Sequence, residues 1–558
     1  MIVRMQDWLT AQAERRPETN ALIFRGEAAT YGSLEQNSNR LARALQAQGC
    51  SRGDRIALLL PKSSNALIAM FGALKADCAY VPIDTSSPAA RIQRILQTCE
   101  CRCVIAEDST AGLLNTLIAE KAISEPSRIV CMDRGSDAFS GVGASLFWDD
   151  IEAFPDAPVP SRNRSDDPAH VLFTSGSTGM PKGVVITHAN VIHFVNWAVS
   201  YFGITPGDRI SGHPPLHFDL STFDIYGAIA AGAELHLLTP EISLLPHRLA
   251  DFIRSSELTQ WFSVPSALVP MAKFDALAPG DFPALKRLLW CGEKFPVPAL
   301  RYFMQRLPHI TFVNLYGPTE ATIASSYYHV SRCPETDQAE IPIGSACDGE
   351  FLLVLDGEMR ASEPGEIGDL YIGGVGLSPG YLKDPEKTAQ VFRPNPFNSS
   401  PVDARPGARI YKTGDLARVG EDGMIYLVGR SDSQIKCRGY RIELGEIEAA
   451  MQAVTGVQEA AVVALDAEGT EGAIICCAYL HCSGRDLPPA AIKKAARRLL
   501  PNYMLPARWI VLDSMPHNAN GKTDRARIKE MFRQQAEESS AARMRQQSGS
   551  IEAHAHAQ

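Results

Sequence analysis

From about Arg55 onward the chain alternates short apolar runs with longer amphipathic ones, and this alternation limits the possible folds more than any single residue does. Arg55–Leu60 reads as a strand, Ser63–Lys75 as a helix, Tyr80–Ile83 as a strand and Pro88–Thr98 as a helix. Strands separated by helices predict a parallel, doubly wound sheet. The same grammar returns later, with strands expected at Arg209–Gly212, Glu234–Leu238, Gln260–Ser263, Leu288–Trp290 and Thr311–Leu315. In such sheets ligands gather at the carboxyl ends of strands. Asp219 follows one of these ends, Gly292 and Glu293 another, and Tyr316 to Glu320 a third.

A chain of 558 residues exceeds what one core usually supports, so more than one domain is expected. Between about Glu350 and Arg430 the texture shifts to short alternating strands rich in Gly and Pro, which predicts a small antiparallel sheet or barrel. Past Arg430 comes a compact α+β stretch, with helices near Gly445–Ala453 and Ala490–Leu500 and strands near Glu459–Leu465, Ala473–Leu480 and Trp509–Leu512. From about Gln534 the chain is rich in Gln, Ser and Ala and reads as a disordered tail. The resulting division is a large α/β domain over 1–430, a small domain over 431–533 and a tail over 534–558.

One stretch stands apart, L-F-T-S-G-S-T-G-M-P-K-G at Leu172–Gly183. Val171, Leu172 and Phe173 read as the end of a buried strand. Gly176, Gly179 and Gly183 let the following backbone turn tightly and bring its N–H groups near phosphate oxygens. Thr174, Ser175, Ser177 and Thr178 add hydroxyls, and Lys182 adds charge. It is not a Walker loop, because Met180 and Pro181 intervene before the lysine and Gly183 follows it. A flexible surface loop is the plain alternative for this stretch taken alone.

Composition narrows the partners. A net charge of −9 argues against nucleic acid, which calls for a basic face. Thirteen scattered cysteines fit reduced thiols better than a disulfide framework, and Cys99, Cys101 and Cys103 lack the second pair or histidine of a zinc site. Asp7 interrupts the opening M-I-V-R-M-Q-D-W-L, and no uncharged apolar run approaches the roughly 18 residues of a membrane span. A cytoplasmic protein is expected.

The motifs, taken in order, resemble those of the acyl-adenylate-forming superfamily, and within it the amino-acid adenylation enzymes of nonribosomal peptide synthesis. Besides the loop, the resemblance rests on H-F-D-L-S-T-F-D-I-Y around Asp219, N-L-Y-G-P-T-E at Asn314–Glu320, G-V-G-L-S-P-G-Y at Gly374–Tyr381, and Y-K-T-G-D at Tyr411–Asp415. The last two are the long run from Gly429, G-R-S-D-S-Q-I-K-C-R-G-Y-R-I-E-L-G-E-I-E, and N-G-K-T-D-R at Asn520–Arg525. It spans about Trp8 to Lys529. The resemblance implies that ATP and Mg²⁺ are used. Thr174, Ser175, Gly176, Ser177, Thr178, Gly179 and Lys182 would then cradle the β- and γ-phosphates. Asn314 and Gly317 belong to the nucleotide site, Thr319 and Glu320 meet the α-phosphate and the metal, and Gly292, Glu293 and Tyr316 flank the adenine. Asp415 takes the ribose hydroxyls, and Arg430 reaches ribose or phosphate. Each has an ordinary reading as well: Asp415 as turn chemistry, Arg430 with Asp432 as a solvated pair, Tyr316 as a core aromatic. The family's frequent aromatic residue two positions before the Gly-Arg pair is here Leu427, next to Tyr426.

By the same resemblance Asp219 pairs with a substrate ammonium, which aryl- and acyl-CoA synthetases generally do not need; a helix N-cap is its alternative role. Leu220, Phe223, Ser263, Leu289, Cys291, Leu315, Ile323 and Ala324 match the family's pocket lining. None is charged, and Phe223 and Leu315 are bulky, so a small uncharged amino acid is expected. The L-L-W-C-G-E and N-Y-M-L-P-A-R stretches look most like D-alanine:carrier-protein ligases. Lys522 matches the lysine that bridges substrate carboxylate and ATP. Lys436 and Gly439 match the face that later lines the thiol tunnel, with Asp432 as the hinge. The implied acceptor is the phosphopantetheine thiol of a separate carrier protein, with CoA as the alternative. An aryl- or acyl-CoA synthetase and an inactive scaffold are the competing functions.

Overall fold

A computed structural model describes residues 2–123, 128–135, 137–139, 146–176, 179–398, 407–466, 473–482, 487–517 and 523–538. The chain divides into two compact units. The first holds the chain up to Thr174 and from Pro181 to Asp432; the second holds Ser175–Met180 and the chain from Ser433.

The first unit contains three sheets. A seven-stranded sheet has its centre in Pro168–Thr174, Ala79–Pro82, Arg55–Leu59 and Cys103–Ala106, with Arg128–Cys131 at one edge and Lys182–Thr187 then Gly380–Tyr381 at the other. A nine-stranded sheet runs Ser345–Ala346, Ser326–His329, Thr311–Tyr316, Arg287–Trp290, Gln260–Ser263, Arg209–Gly212, Glu234–Leu237, Asn20–Phe24 and Glu27–Thr30. The parallel grammar expected from the alternation holds in both interiors and at the Arg128–Cys131 edge, and antiparallel strands close the other three edges. The glycine-rich loop joins two of these antiparallel strands, Pro168–Thr174 and Lys182–Thr187, and so is the turn of a hairpin.

The third sheet, Glu350–Leu355, Gly368–Gly374, Arg409–Val419, Phe392–Pro394 and Ile425–Arg430, is antiparallel, as the Gly- and Pro-rich texture predicts. The second unit has a hairpin, Gln434–Cys437 with Tyr440–Glu443, and a three-stranded sheet of Val457–Asp466, Ala473–His481 and Arg508–Val511. Helices Leu444–Gln452 and Pro489–Ala496 pack on it through Ile447, Met451 and Ile492. A helix over 525–538 carries the buried Ile528 and Phe532, so helical order continues past Gln534, where the tail was expected to begin. Residues 539–558 of that tail lie outside the described residues. Among the described residues no helix is long and apolar enough to cross a membrane.

Local signals explain several elements. Thr30 accepts the Ser33 N–H to start the helix Tyr31–Ala47, and Ser63 accepts the Ala66 N–H to start Ser64–Lys75. The cysteines are free, and all except Cys333 and Cys482 are buried.

One ion pair lies inside this core. Lys75, 3% exposed, meets the Glu35 carboxylate and also donates to Asn39 Oδ1 at 2.7 Å. Burial pushes its ammonium down to about 8 despite that carboxylate. Removing one partner of such a pair leaves a buried charge without compensation, at about 3–5 kcal/mol. Lys75→Met is expected to lower the stability of the first unit by that amount in urea unfolding, and adding Glu35→Leu should recover most of it.

Candidate functional site

In the first unit three of the flagged carboxylates each meet a hydroxyl from another part of the chain: Asp219 and Glu320 just past strand ends, and Asp415 within the strand Arg409–Val419. The helix Asp219–Ala231 follows the strand Arg209–Gly212. Phe218 is its N-cap and Asp219 its first helical residue, so the N-cap alternative for Asp219 does not hold. Its Oδ2 instead accepts the Thr319 hydroxyl at 2.7 Å. The residues expected to read the substrate amine and the α-phosphate are therefore one hydrogen bond apart.

Glu320, next in the chain, is fully buried, and its Oε1 accepts the Tyr381 hydroxyl at 2.6 Å. Its carbonyl accepts the Ser378 N–H at 2.9 Å. Lys182 Nζ stands 5.9 Å from the Tyr381 ring centroid, which brings the loop lysine to the same corner. The motif Gly374–Tyr381 thus braces the turn that carries Thr319 and Glu320. Tyr381 lies in a quoted motif, but nothing in its sequence context announces Glu320 as its partner.

The third carboxylate is Asp415. Tyr316 donates its hydroxyl to Oδ2, and Arg430 Nη1 donates to Oδ1 at 2.6 Å. Burial together with the Asp415 charge raises the Tyr316 phenol well above its usual range, so it stays a donor. Arg430 also grips Asp432 with two N–H groups, each at 2.8 Å. A carboxylate has about four acceptor positions, so Asp415 retains capacity for a diol. Leu427 packs beside the cluster that contains Tyr316, while Tyr426 turns away and donates to Asp422 at 2.8 Å.

Gly292 and Glu293 follow the strand Arg287–Trp290, and Glu293 Oε2 accepts the Ser266 N–H at the start of the helix Pro265–Lys273. Asn314 donates to the Pro342 carbonyl at 2.8 Å. A Cβ on Gly317 would stand 2.5 Å from Ala324 Cα, so the backbone approach there excludes any side chain. Leu220, Phe223, Leu289, Cys291, Leu315, Ile323 and Ala324 belong to one buried cluster. Phe223 is wedged among Phe194, Phe202 and Phe262, and the Ser263 hydroxyl is engaged by Trp261 Nε1 at 2.8 Å. Thr174 ends its strand. In the second unit Ser175 Oγ donates to the Arg441 carbonyl, and the Gly176 N–H donates to Glu446 Oε2 at 3.3 Å. Gly179 follows with φ of +79°. Lys436 lies opposite Arg441 in the hairpin, whose turn residues Arg438 and Gly439 both have positive φ, as a two-residue hairpin loop requires. Ser177, Thr178 and Lys522 lie outside the described residues.

Two buried ionisable residues lie near the start of the Asp219 helix: Lys62, outside every quoted motif, and Asp224, inside the motif around Asp219 but not among the expected site residues. Lys62 Nζ donates to the Gly212 carbonyl at 2.7 Å and the His213 carbonyl at 2.6 Å, at the end of the strand that leads to Asp219. Asp224, 1% exposed and within that helix, carries the nearby opposite charge. Burial pushes Lys62 down to about 7 and Asp224 well up.

The Tyr381–Glu320 bond gives a direct check. Hydrogen bonds to charged groups contribute about 1.5–3 kcal/mol, so Tyr381→Phe should lower stability by that much. In a Glu320→Gln background the same substitution should cost clearly less, and a double-mutant cycle in urea measures the difference.

Known proteins resemble the chain over most of its length. Residues 9–382 match the AMP-binding enzyme family, and residues 446–522 match the AMP-binding enzyme C-terminal domain. Tyrocidine synthase 3 of Brevibacillus parabrevis is 34% identical over 92% of the chain, which spans 7% of that much longer protein. The L-proline--[L-prolyl-carrier protein] ligase of Streptomyces coelicolor is 35% identical over 94% of the chain and 96% of its own length. Among solved structures, the Vibrio cholerae adenylation domain AlmE, in complex with glycyl-adenosine-5′-phosphate, superposes with a TM-score of 0.81 at 24% identity, covering 96% of this chain and 98% of that one. The o-succinylbenzoate CoA synthetase of Bacillus subtilis superposes with a TM-score of 0.77 at 19% identity, covering 94% and 98%. At these identities the structural likeness is one of fold. Over most of its length, then, the chain belongs to the AMP-binding enzyme family.

Proposed function

We propose that the chain activates a small uncharged amino acid with ATP to form an aminoacyl-AMP, and passes the aminoacyl group to the phosphopantetheine thiol of a carrier protein. The observation that carries this reading is the 2.7 Å bond between Thr319 and Asp219. It sets a carboxylate suited to an ammonium beside the turn suited to the α-phosphate, so the substrate carboxylate would lie between them. A carrier-protein ligase alike along nearly its whole length supports the second step.

The residues fit the groups this reaction needs. Glu320 is a buried oxygen donor of the hard type that Mg²⁺ prefers, and Asp415 keeps acceptor capacity for the ribose hydroxyls. Thr174 to Lys182 would hold the β- and γ-phosphates, with Lys182 as the cation. Gly292, Glu293 and Tyr316 would flank the adenine, and Arg430 would hold ribose or phosphate. Leu220, Phe223, Leu289, Cys291, Leu315, Ile323 and Ala324 would enclose the side chain; their bulk and lack of charge favour a small uncharged one.

Within this reading, residues 1–430 form the adenylating body and 431–533 a lid that turns about Asp432. Lys522 would serve the first step by placing the carboxylate and steadying the transferring charge. The Lys436 and Gly439 face would serve thiol entry in the second.

Amino-acid-dependent exchange of pyrophosphate into ATP tests the reading, run over a panel of amino, fatty and aryl acids. Exchange is expected with a small amino acid such as glycine, alanine, serine or proline. Exchange with fatty or aryl acids alone would mean a CoA synthetase, and none with any acid an inactive scaffold. Asp219→Ala should raise the KM for the amino acid about 100-fold, the equivalent of roughly 3 kcal/mol for a stranded ammonium, and leave the KM for ATP unchanged.

The two lysines separate the steps. Lys522→Ala should depress exchange strongly. Lys436→Ala should leave exchange near normal and slow carrier loading, and Asp432→Pro should do the same, because proline fixes φ where a hinge must visit two values. Equal loss of both activities in all three variants would mean a single working conformation.

A further inference from the structure

The pocket wall that carries Ile323 and Ala324 holds an unusual backbone. Thr322 and Ile323 are both β-branched and both left-handed, with φ of 59° and 72°. Residues of this kind persist in that region only where their surroundings hold them. Thr322 Oγ1 donates to the Gly376 carbonyl at 2.7 Å. On the far side of the turn, the Ser325 N–H donates to the Tyr316 carbonyl at 2.8 Å and the Cys347 N–H to the Ser325 carbonyl at 2.9 Å.

Gly376 is itself held from behind. Its N–H donates to Glu350 Oε1 at 2.7 Å, and a Cβ on Gly376 would fall 2.1 Å from that oxygen and 2.9 Å from the Ala321 carbonyl. The second oxygen of Glu350 is shut away from solvent, with the Ser325 hydroxyl as the polar group beside the carboxyl. Glu350 lies outside every motif quoted above. The groups around it are the Gly376 amide, the Ser325 hydroxyl and the Cys347 thiol, with Asp348 and Cys291 also facing that thiol. His193, on the helix His188–Phe202, faces Asp348.

We propose that Glu350 is a positioning residue for the amino-acid side-chain subsite: it holds the Gly376 amide, Gly376 holds Thr322, and the left-handed Thr322–Ile323 turn is thereby fixed where the substrate side chain is read. This inference rests on the amino-acid activation proposed above. Burial raises the Glu350 carboxyl to about 8, so near neutrality it accepts the Gly376 N–H as an uncharged acid. Ionisation above that pH would leave a buried negative charge with no cation among these groups, and the water drawn in to meet it would loosen the turn even though the Gly376 N–H bond itself would strengthen.

The test is pyrophosphate exchange with the wild-type protein, Glu350→Gln and Glu350→Ala, using the amino acid that the wild type prefers. Gln offers the same acceptor oxygen without a charge, so it should stay within about twofold of wild type at pH 7. Ala should raise the KM for the amino acid about tenfold, the scale of one lost hydrogen bond, with the KM for ATP moved less than about twofold. Between pH 7 and 9.5 the wild-type kcat/KM for the amino acid should fall, relative to Glu350→Gln, as the pH passes about 8. The substrate ammonium titrates alike in both proteins, so their ratio isolates Glu350. A merely structural role would shift both KM values together and leave that ratio flat with pH. An unchanged amino-acid KM in the Ala variant, a Gln variant as impaired as Ala, or a flat ratio would each overturn the inference while amino-acid activation stands. A wild type that exchanges with no amino acid would overturn both.

Discussion

A carboxylate taken out of water has to be met by donors, and this requirement organises the large unit around the ends of its strands. Glu320 is the most demanding case, since it has no exposure at all. Meeting it requires Tyr381 from a strand of the seven-stranded sheet, while its own turn follows a strand of the nine-stranded sheet. Glu320 is therefore one side chain through which the two large sheets are joined, and Lys62 is another. The Ser378 N–H, bound to the Glu320 carbonyl, fixes the same junction from the backbone. Asp219 and Asp415 repeat the solution with Thr319 and Tyr316. Each of the three acids is tied to a hydroxyl from elsewhere in the chain.

The parts of this arrangement visible in the sequence are those with local causes. Strand and helix periodicities place the sheets, and they put Asp219 and Glu320 just past strand ends, while Asp415 falls inside the strand Arg409–Val419. The hairpin nature of the glycine-rich loop is less visible, because Lys182–Thr187 reads as a strand equally well in parallel or antiparallel pairing. Least visible are the partners. Tyr381 and Glu320 are 61 residues apart, Tyr316 and Asp415 are 99, and Thr319 and Asp219 are 100. No periodicity reaches that far. Glu350 and the left-handed pair Thr322 and Ile323 give no signal of their own, since β-branched residues ordinarily argue against positive φ.

Lys62 and Asp224 show how charge is tolerated beneath the site. Burial moves each toward its neutral form, and the carbonyls of Gly212 and His213 take two of the Lys62 protons in hydrogen bonds. The gain is geometric: one amine group, just past the strand Arg55–Leu59 of the seven-stranded sheet, holds the end of the nine-stranded sheet's strand that leads to Asp219. A hydrophobic pair of the same volume would fill the space without tying those carbonyls.

The distribution of thiols has a practical consequence. Eleven cysteines are buried, eight of them in the first unit and Cys437, Cys476 and Cys477 in the second, while Cys333 and Cys482 face solvent. A thiol-reactive probe would label two positions at once in the folded protein and the others only as their surroundings open. Because the buried thiols are divided between the units, labelling rates resolved by peptide would report local opening of each one separately. Cys291 sits in the same buried cluster as Leu289 and Ile323, so its protection would also register whether that cluster has loosened.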